Sequence, residues 1–495
     1  MQNADRIPVI AGIGEVKDRD RGLEPRALML EAIREASASS PTLLSRVDSI
    51  DVINVASFRY DGIARLLAAD IGVEPDRVLE STVGGEKPVR LLVEAAERIA
   101  RGESTVALVC GGEAMRTRAS LKQAGLELGW GPSDPNARPS SSLDYVTPQA
   151  AQYGLTHPTN VYPLYENASR HAWHQTASDA DNENAELWSR LSRVAAENPF
   201  AWIQRSYSPG AIASAEDGNR LIAFPYRKLM VANPMVNQAA AILLTSLAVA
   251  LRSGIPEQEL VFVRNGARAD EPKDFLKRDR FDRSAAQDAV LTATLNDNEL
   301  GIEDVDLWEL YSCFPIVPKL ARRSLGLPAD TIPSVAGGLT FFGAPANNYM
   351  THAITAAVRQ LRKGAGNALL YGQGEFVTKH AAVVLTASAP PSAPQMRDLQ
   401  VQAESAMEPV PPLVEAYEGE ASLETFTIVY DRQGAPLSAP VILRTQDGKR
   451  TVALGSLVTG TVNRLADRSQ DPIGSKGNVA MSATGTFEFS LSETD

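Results

Sequence analysis

Cysteine is almost missing from this chain. Its 495 residues include two, Cys110 and Cys313, which excludes a disulfide scaffold and any cysteine-rich zinc or iron–sulfur centre. Both lie in apolar runs, so buried free thiols in a reducing compartment are expected. Positive charge is also short: 48 Lys+Arg stand against 60 Asp+Glu, a net charge of −12. General binding to a nucleic-acid backbone needs a basic face and is therefore excluded. No uninterrupted apolar run reaches membrane-spanning length. Residues Met1 to Ile10 carry neither a basic leader nor a long apolar stretch, so no secretory signal is visible and a cytoplasmic location is expected. What is present, 44% hydrophobic and 22% charged residues, is the composition of an ordinary globular protein. At about 150 residues per domain, the length suggests about three domains.

Short apolar runs alternate with amphipathic stretches. Pro8-Val-Ile-Ala-Gly-Ile-Gly14 reads as a buried strand ending in glycines, and Pro25 to Ala36 as a helix with Pro25 in its first turn. Asp51 to Ser57 is a second strand. Val89 to Ala100 is an amphipathic helix with Leu91, Leu92, Ala95, Ala96 and Ile99 on one face. Thr105 to Gly112 is apolar on both faces, as strands of covered parallel sheets are. Such alternation implies a layered α/β fold.

One unit occurs twice. Arg98-Ile-Ala-Arg-Gly-Glu-Ser-Thr-Val-Ala-Leu-Val-Cys-Gly-Gly-Glu113 matches Arg359-Gln-Leu-Arg-Lys-Gly-Ala-Gly-Asn-Ala-Leu-Leu-Tyr-Gly-Gln-Gly-Glu375 in order: helix, glycine turn, buried strand, Gly-rich loop, Glu. A Gly/Pro loop opens the helix upstream of each, Gly84-Gly-Glu-Lys-Pro88 and Gly343-Ala-Pro-Ala-Asn-Asn-Tyr349. A period this long is a domain duplication.

Between the copies, from Met115 to Tyr226, the pattern loosens into a Gly/Pro/Ser-rich stretch (Gly129 to Ser142) and a set of aromatics. Long insertions of this kind cover active faces or bind ligands. His171 and His174 have the i, i+3 spacing of helical metal ligands, but no third ligand is near and no metal is expected. Ala389-Pro-Pro-Ser-Ala-Pro394 and Pro409 to Pro412 have linker composition. From Ser422 onward, short alternating strands with an Asp447-Gly448 hairpin cue give a small β-barrel-like domain, for which the oligonucleotide-binding barrel is one candidate. The expected divisions are 1–115 and 116–235 for a first half with its insertion, 236–388 for a second half, a linker over 389–421, and a barrel over 422–495.

These elements together resemble the thiolase superfamily over residues 6–388. The match is carried by Pro8 to Gly14, Pro25 to Ala32, Phe224-Pro-Tyr-Arg-Lys228, Asn233 to Ala241, Glu309-Leu-Tyr-Ser-Cys-Phe314, Gly337-Gly-Leu-Thr-Phe-Phe-Gly-Ala-Pro345 and Tyr371-Gly-Gln-Gly374. With the β-rich appendage, the sequence looks most like thiolase-like protein type 1. The resemblance implies a duplicated five-layered α-β-α-β-α fold, followed here by a small all-β domain, with acyl-CoA held across loops of both halves.

The departures decide the chemistry. The resemblance places the acyl-accepting cysteine at Gly85, the activating histidine at Ala344, the oxyanion-hole asparagine at Tyr311 and the acid/base cysteine at or next to Tyr371. A thiolase parks its acyl group on a low-pKa thiolate, and no such thiol stands here. The expected ligand positions are Gly84, Gly85, Lys87, Asn233, Gly343, Ala344, Asn347, Gly372 and Gly374. The candidate catalytic groups are Tyr311, Tyr371 and His380; His352 is expected to point away. Three readings stay open. The first is an acyl-CoA-binding protein without acyl transfer. The second is a tyrosine-dependent aldolase acting on a β-hydroxyacyl-CoA, as in thiolase-fold aldolases that work with a barrel-bearing partner. The third is an ordinary acetyl-CoA C-acyltransferase. A CoA thioester is the only ligand expected, with no separate cofactor, and the protein is expected to be a monomer or homodimer.

Overall fold

A computed structural model describes residues 3–134, 136 and 146–492, so part of the Gly129 to Ser142 stretch lies outside the described residues. The strands of the first half are β1 (Pro8–Lys17), β2 (Ser49–Val52), β3 (Arg77–Glu80) and β4 (Val106–Ala114). Two short strands, β5 (Leu221–Ala223) and β6 (Tyr226–Arg227), belong to the insertion, and β7 (Asn237–Ser246) returns to the main sheet. The second half contributes β8 (Val261–Asp270), β9 (Leu307–Glu309), β10 (Asn367–Gly374) and β11 (Lys379–Thr386).

The duplication is written in the sheet topology. In the first half β1 pairs antiparallel with β7, β7 antiparallel with β4, and β4 parallel with β2, with β3 beyond it. In the second half β8 pairs antiparallel with β11, β11 antiparallel with β10, and β10 parallel with β9. The halves touch edge to edge where Val9 and Ile10 pair with Phe262 and Val261. Because β7 is interior to the first sheet, the division between halves falls after Ser246 and not at 235/236. The sequence cut failed because β7 follows the long insertion and so looks like a new beginning.

The helices Lys87–Arg101 and Tyr349–Leu361 lie between the two sheets, each packing on strands of both halves. The helix Pro25–Ala36 covers the outer face of the first sheet, and Ala285–Asn296 that of the second. The five expected layers result. Residues of β4 and β7 are buried throughout, which explains why these strands lack polar alternation. Gly12 and Gly14 let the Pro25–Ala36 helix lie directly on β1: a Cβ at either would come within 1.9 Å of a helix carbonyl oxygen.

The region expected as a linker is partly ordered into the second half: β12 (Met396–Asp398) pairs parallel with β8. The closed barrel runs β13 (Gly419–Phe426), β16 (Pro440–Thr445), β17 (Arg450–Gly455), β19 (Phe487–Leu491) and β18 (Lys476–Met481), numbered in chain order with β14 (Val429–Tyr430) and β15 (Pro436–Ser438). The chain breaks between Phe426 and Tyr430: β13 ends at Phe426, and β14 leaves the barrel to pair with β5 of the insertion. The barrel therefore docks on the insertion. Thr425 donates to the Leu164 carbonyl at 2.5 Å and Asn167 to the Phe426 carbonyl at 2.9 Å. Among the described residues no helix is long and apolar enough to cross a membrane.

Candidate functional site

The turn before the Lys87–Arg101 helix is closed by its own neighbours. A Cβ at Gly85 would meet the Tyr311 hydroxyl at 2.2 Å and the Gln373 carbonyl at 2.4 Å. The space a nucleophilic side chain needs at position 85 is thus filled by a tyrosine from the other half. Tyr311 is aimed there by a left-handed backbone (φ 51°), a conformation that costs an L-residue about 1–2 kcal/mol. Its ring stands edge-on to Tyr349 at 5.8 Å. Burial, reinforced by negative neighbours including Glu86 and Glu309, pushes its hydroxyl well above the ordinary tyrosine range, so it keeps its proton at neutral pH.

The glycines expected to cradle a ligand instead make room for Glu86. A Cβ at Gly84 or at Gly374 would come within 2.2 Å of Glu86 Oε2, and one at Gly372 within 3.0 Å of the Glu86 backbone. Glu86 is fully buried, and neither carboxylate oxygen accepts a hydrogen bond. Its charge is balanced by Lys87, whose Nζ lies 3.1 Å from Oε1. Lys87 is therefore committed within the protein and not to a ligand. Asn347 spans the halves: it accepts from the Gly84 N–H at 2.9 Å and donates to Asn54 O at 3.1 Å. Sequence reasoning missed Glu86 because a carboxylate in a Gly/Pro turn reads as exposed.

Tyr371 and His380 do not reach this junction. Side chains alternate along a strand, and Gly372 and Gly374 face Glu86, so Tyr371 faces the outer helix. His380 is not at a strand edge, since β11 is interior. Burial and the nearby Arg278 push His380 down to about 3, leaving the ring neutral. Ser284 donates to Glu271 Oε1 at 2.5 Å, so the His380 Nε2–H donates to Ser284 Oγ at 3.2 Å. His380 Nδ1 then accepts from the Tyr371 hydroxyl at 2.7 Å, which itself accepts from Gln287 Nε2 at 2.9 Å. Glu271 is paired with Arg278 at 2.9 Å. Both candidate residues thus belong to a buried hydrogen-bonded network away from the Gly85 turn.

Neither thiol is an activated nucleophile. Burial pushes Cys110 and Cys313 up to about 12, and a protonated thiol is a poor nucleophile. Cys110 sits inside β4, not at its end, and Cys313 Sγ faces Gln373 Oε1 at 3.9 Å. His352 is buried against Glu15 at 2.6 Å, and His171 pairs with Asp471 at 2.7 Å. Among the described residues no group of three potential metal ligands comes together.

An open cleft of about 720 Å³ lies on the other side of the Gly343–Asn347 loop, lined among others by Arg19, Arg116, Trp202, Arg205, Lys228 and Asn233. The Arg19 guanidinium lies 4.8 Å above the Trp202 ring and donates to its carbonyl, and Arg116 lies 5.6 Å from the same ring. No described carboxylate pairs with any of the four cations. Asn233 shapes the wall through its backbone, donating to Leu339 O at 3.0 Å and accepting from Ala344 N at 2.9 Å. Gly343 turns at φ 115°, where a Cβ would meet Gln238 Oε1 at 2.6 Å. The Gly343–Asn347 loop thereby joins the cleft at Asn233 to the closed turn at Gly84. The cleft cations were not foreseen, because residues 19, 116, 205 and 228 converge only in three dimensions.

Residues 400–484 match the family model "Thiolase-like protein type 1 additional C-terminal domain". No curated protein matches the chain by sequence. A solved monomeric SCP2-thiolase-like protein type 1 from Mycobacterium smegmatis is 28% identical, with a TM-score of 0.84 over 99% of both chains. An Ltp2-ChsH2(DUF35) aldolase shares 18% identity and a TM-score of 0.60 over 77% of this chain and 98% of its own. Human mitochondrial 3-ketoacyl-CoA thiolase shares 14% identity and a TM-score of 0.58 over 78% of this chain and 100% of its own. The last two share the fold, while the first also shares the whole domain arrangement. Residues 400–484 thus match the additional C-terminal domain of thiolase-like protein type 1, and over its whole length the chain is similar to a solved protein of that type.

Proposed function

We propose that this protein binds a CoA thioester through the phosphate-bearing nucleotide end and transfers no acyl group through an acyl-cysteine. The observation that carries the reading is the cleft: Arg19, Arg116, Arg205 and Lys228 converge around Trp202 on a chain of net charge −12. Cations kept free of acid partners against that background suit a polyanion, and guanidinium groups bind phosphate bidentately. The apolar part of the lining, Ile203, Val231 and Met235 among it, suits the less polar arm of such a ligand. Chain identity with a thiolase crystallised with CoA is only 15%, so the likeness adds fold and the cleft adds the chemistry.

The closed turn supports the second clause. With Tyr311 against Gly85 and both thiols protonated, no atom there accepts an acyl group. The aldolase reading required two tyrosine hydroxyls facing one cavity, and Tyr371 is fully buried with its hydroxyl bonded to His380 and Gln287. We place the protein in a reducing compartment, as a monomer or homodimer.

Calorimetric titration with acetyl-CoA and longer acyl-CoAs tests the reading. Binding at millimolar or lower concentration is expected, weakened about 10-fold by Arg19→Ala, in line with loss of one charge-assisted contact. No heat with any CoA ester at millimolar concentration would overturn it. Intact-mass measurement after incubation with acetyl-CoA should show no acetyl adduct on Cys110 or Cys313.

A further inference from the structure

The loop that joins the cleft to the Gly85 turn leads a ligand nowhere. We propose that the cleft reads the CoA handle and not the acyl group it carries, so that free CoA and its thioesters of any chain length are equivalent ligands. This rests on the reading of the cleft as a CoA site and names the part of that ligand class that is recognised.

Beyond the cleft the way is filled from two sides. Gly84, Gly85, Glu86, Tyr311 and Gln373 are buried, and none of them lines the cleft. Tyr311 occupies the space over Gly85. The insertion supplies a second plug, Tyr162, itself buried. Its hydroxyl lies 2.9 Å from Gln373 Oε1 and 2.7 Å from the Glu375 carbonyl oxygen, and its ring stacks on Phe314 at 4.5 Å. Backbone donors are spent as well. The Gly84 N–H donates to Asn347 Oδ1 at 2.9 Å, and the Ala344 N–H to the Asn233 carbonyl at 2.9 Å. A thioester carbonyl pushed toward the turn would lose its water and find neither donor free, which is unfavourable.

The cleft is built the opposite way. Arg19 and Arg116 lie over Trp202, and Arg205 lies 4.8 Å from the Tyr207 ring. A guanidinium stacked by its face keeps in-plane N–H groups for phosphate oxygens. CoA carries all its phosphates, a diphosphate and a 3′-phosphate, at the end opposite the thiol. Charge recognition is therefore confined to that end, and the acyl chain at the other end stays in water. The two possibilities differ greatly in size. Each CH₂ buried strengthens binding about 4-fold, so the four that separate hexanoyl from acetyl would give about 200-fold if the chain were held. A chain left in water gives no such gain.

Calorimetric titration of the full-length chain with free CoA, acetyl-CoA and hexanoyl-CoA is the test. The three affinities should agree within about 3-fold, less than one buried CH₂ would give. Adenosine 3′,5′-bisphosphate should displace CoA, pantetheine alone should not bind at millimolar concentration, and added NaCl should weaken all three CoA ligands alike. Arg205→Ala and Lys228→Ala should each weaken all three by the same factor, about 10-fold. Hexanoyl-CoA binding more than about 10-fold tighter than free CoA would overturn the proposal, since that needs a held chain. So would failure of the bisphosphate to displace CoA, pantetheine binding as tightly as CoA, or no change in both variants. If no CoA species binds, the reading of the cleft falls and this proposal with it. Chain-length dependence with binding intact overturns this proposal alone.

Discussion

The cleft around Trp202 and the turn at Gly85 are neighbours joined by one loop, Gly343–Asn347, yet they have gone opposite ways. The cleft is open, with Arg19 and Arg116 held over Trp202 and free of acid partners. At the turn a tyrosine and a carboxylate are packed into the places where a reacting group would sit, with Glu86 fully buried among Gly84, Gly372 and Gly374. On the proposed reading, recognition and chemistry are separable in this architecture. A glycine-rich loop is no proof of a ligand, since glycine also admits the protein's own side chain.

The comparison breaks first if the cleft is not the polyanion site. Reversing both cations over the indole, Arg19→Glu with Arg116→Glu, should weaken CoA-ester binding about 100-fold or more, two charge-assisted contacts being lost and replaced by repulsion. Titration calorimetry at low salt measures it. An unchanged affinity would move the ligand elsewhere.

A second test addresses the buried charge beside the turn. Glu309 accepts from Ser334 at 2.8 Å and Tyr349 at 3.1 Å, and burial raises its carboxyl to about 7. An unfolded glutamate releases its proton near 4.5, so between these values the folded chain holds more protons and stability falls as pH rises. Glu309→Gln should remove that slope. The difference between the two proteins should grow from pH 4.5 to pH 7 toward a limit of about 3 kcal/mol, read from urea unfolding at several pH values. Parallel stability curves would show that Glu309 is ionised in the fold.

A third test sharpens the claim that the turn is full. Gly85→Cys forces a Cβ to within 2.2 Å of the Tyr311 hydroxyl, and overpacking of this kind costs about 1–3 kcal/mol. The protein should be destabilised by that amount and gain no acyl adduct by intact mass. Gly85→Cys with Tyr311→Ala should recover part of the loss. If Gly85→Cys alone is neutral, the tyrosine is not a plug.

Much of this was legible in the chain. The two helix–glycine–strand units named the duplication, and the matching strand order, antiparallel twice and then parallel, follows from it. The Asp447-Gly448 cue gave the β16–β17 hairpin, with Gly448 at φ 79°. That positions 85 and 344 carry neither a nucleophile nor a base was readable directly, because absence of a side-chain group is a statement about sequence. What took their place was not readable. Tyr311 reaches Gly85 across the boundary between halves by a left-handed φ, and no local pattern encodes that. Tyr371 was misassigned for a simpler reason: in a strand covered by helices on both faces, nothing in the apolar pattern says which face a residue takes. The cleft cations failed through distance along the chain, since Arg19 and Lys228 lie far apart in sequence and on separate elements.

The smallest expected effect concerns Tyr371, and it discriminates most finely between a structural and a chemical role. Tyr371→Phe removes the hydroxyl that donates to His380 Nδ1 and accepts from Gln287 Nε2. Both partners are buried, so each is left unpaired, but His380 is already neutral and no charge is stranded. The cost should fall near the low end for unsatisfied groups, about 1–2 kcal/mol in urea unfolding. CoA-ester affinity should stay within about 2-fold of wild type, because Tyr371 faces the outer helix while the cleft lies beyond the Gly343–Asn347 loop. A proton-transfer role predicts the reverse: stability nearly unchanged, and any turnover of a β-hydroxyacyl-CoA reduced about 10²–10⁴-fold. Measuring both on the same preparation leaves no overlap between the two outcomes, since a hydroxyl bound between His380 and Gln287 cannot also reach the substrate while that network is intact.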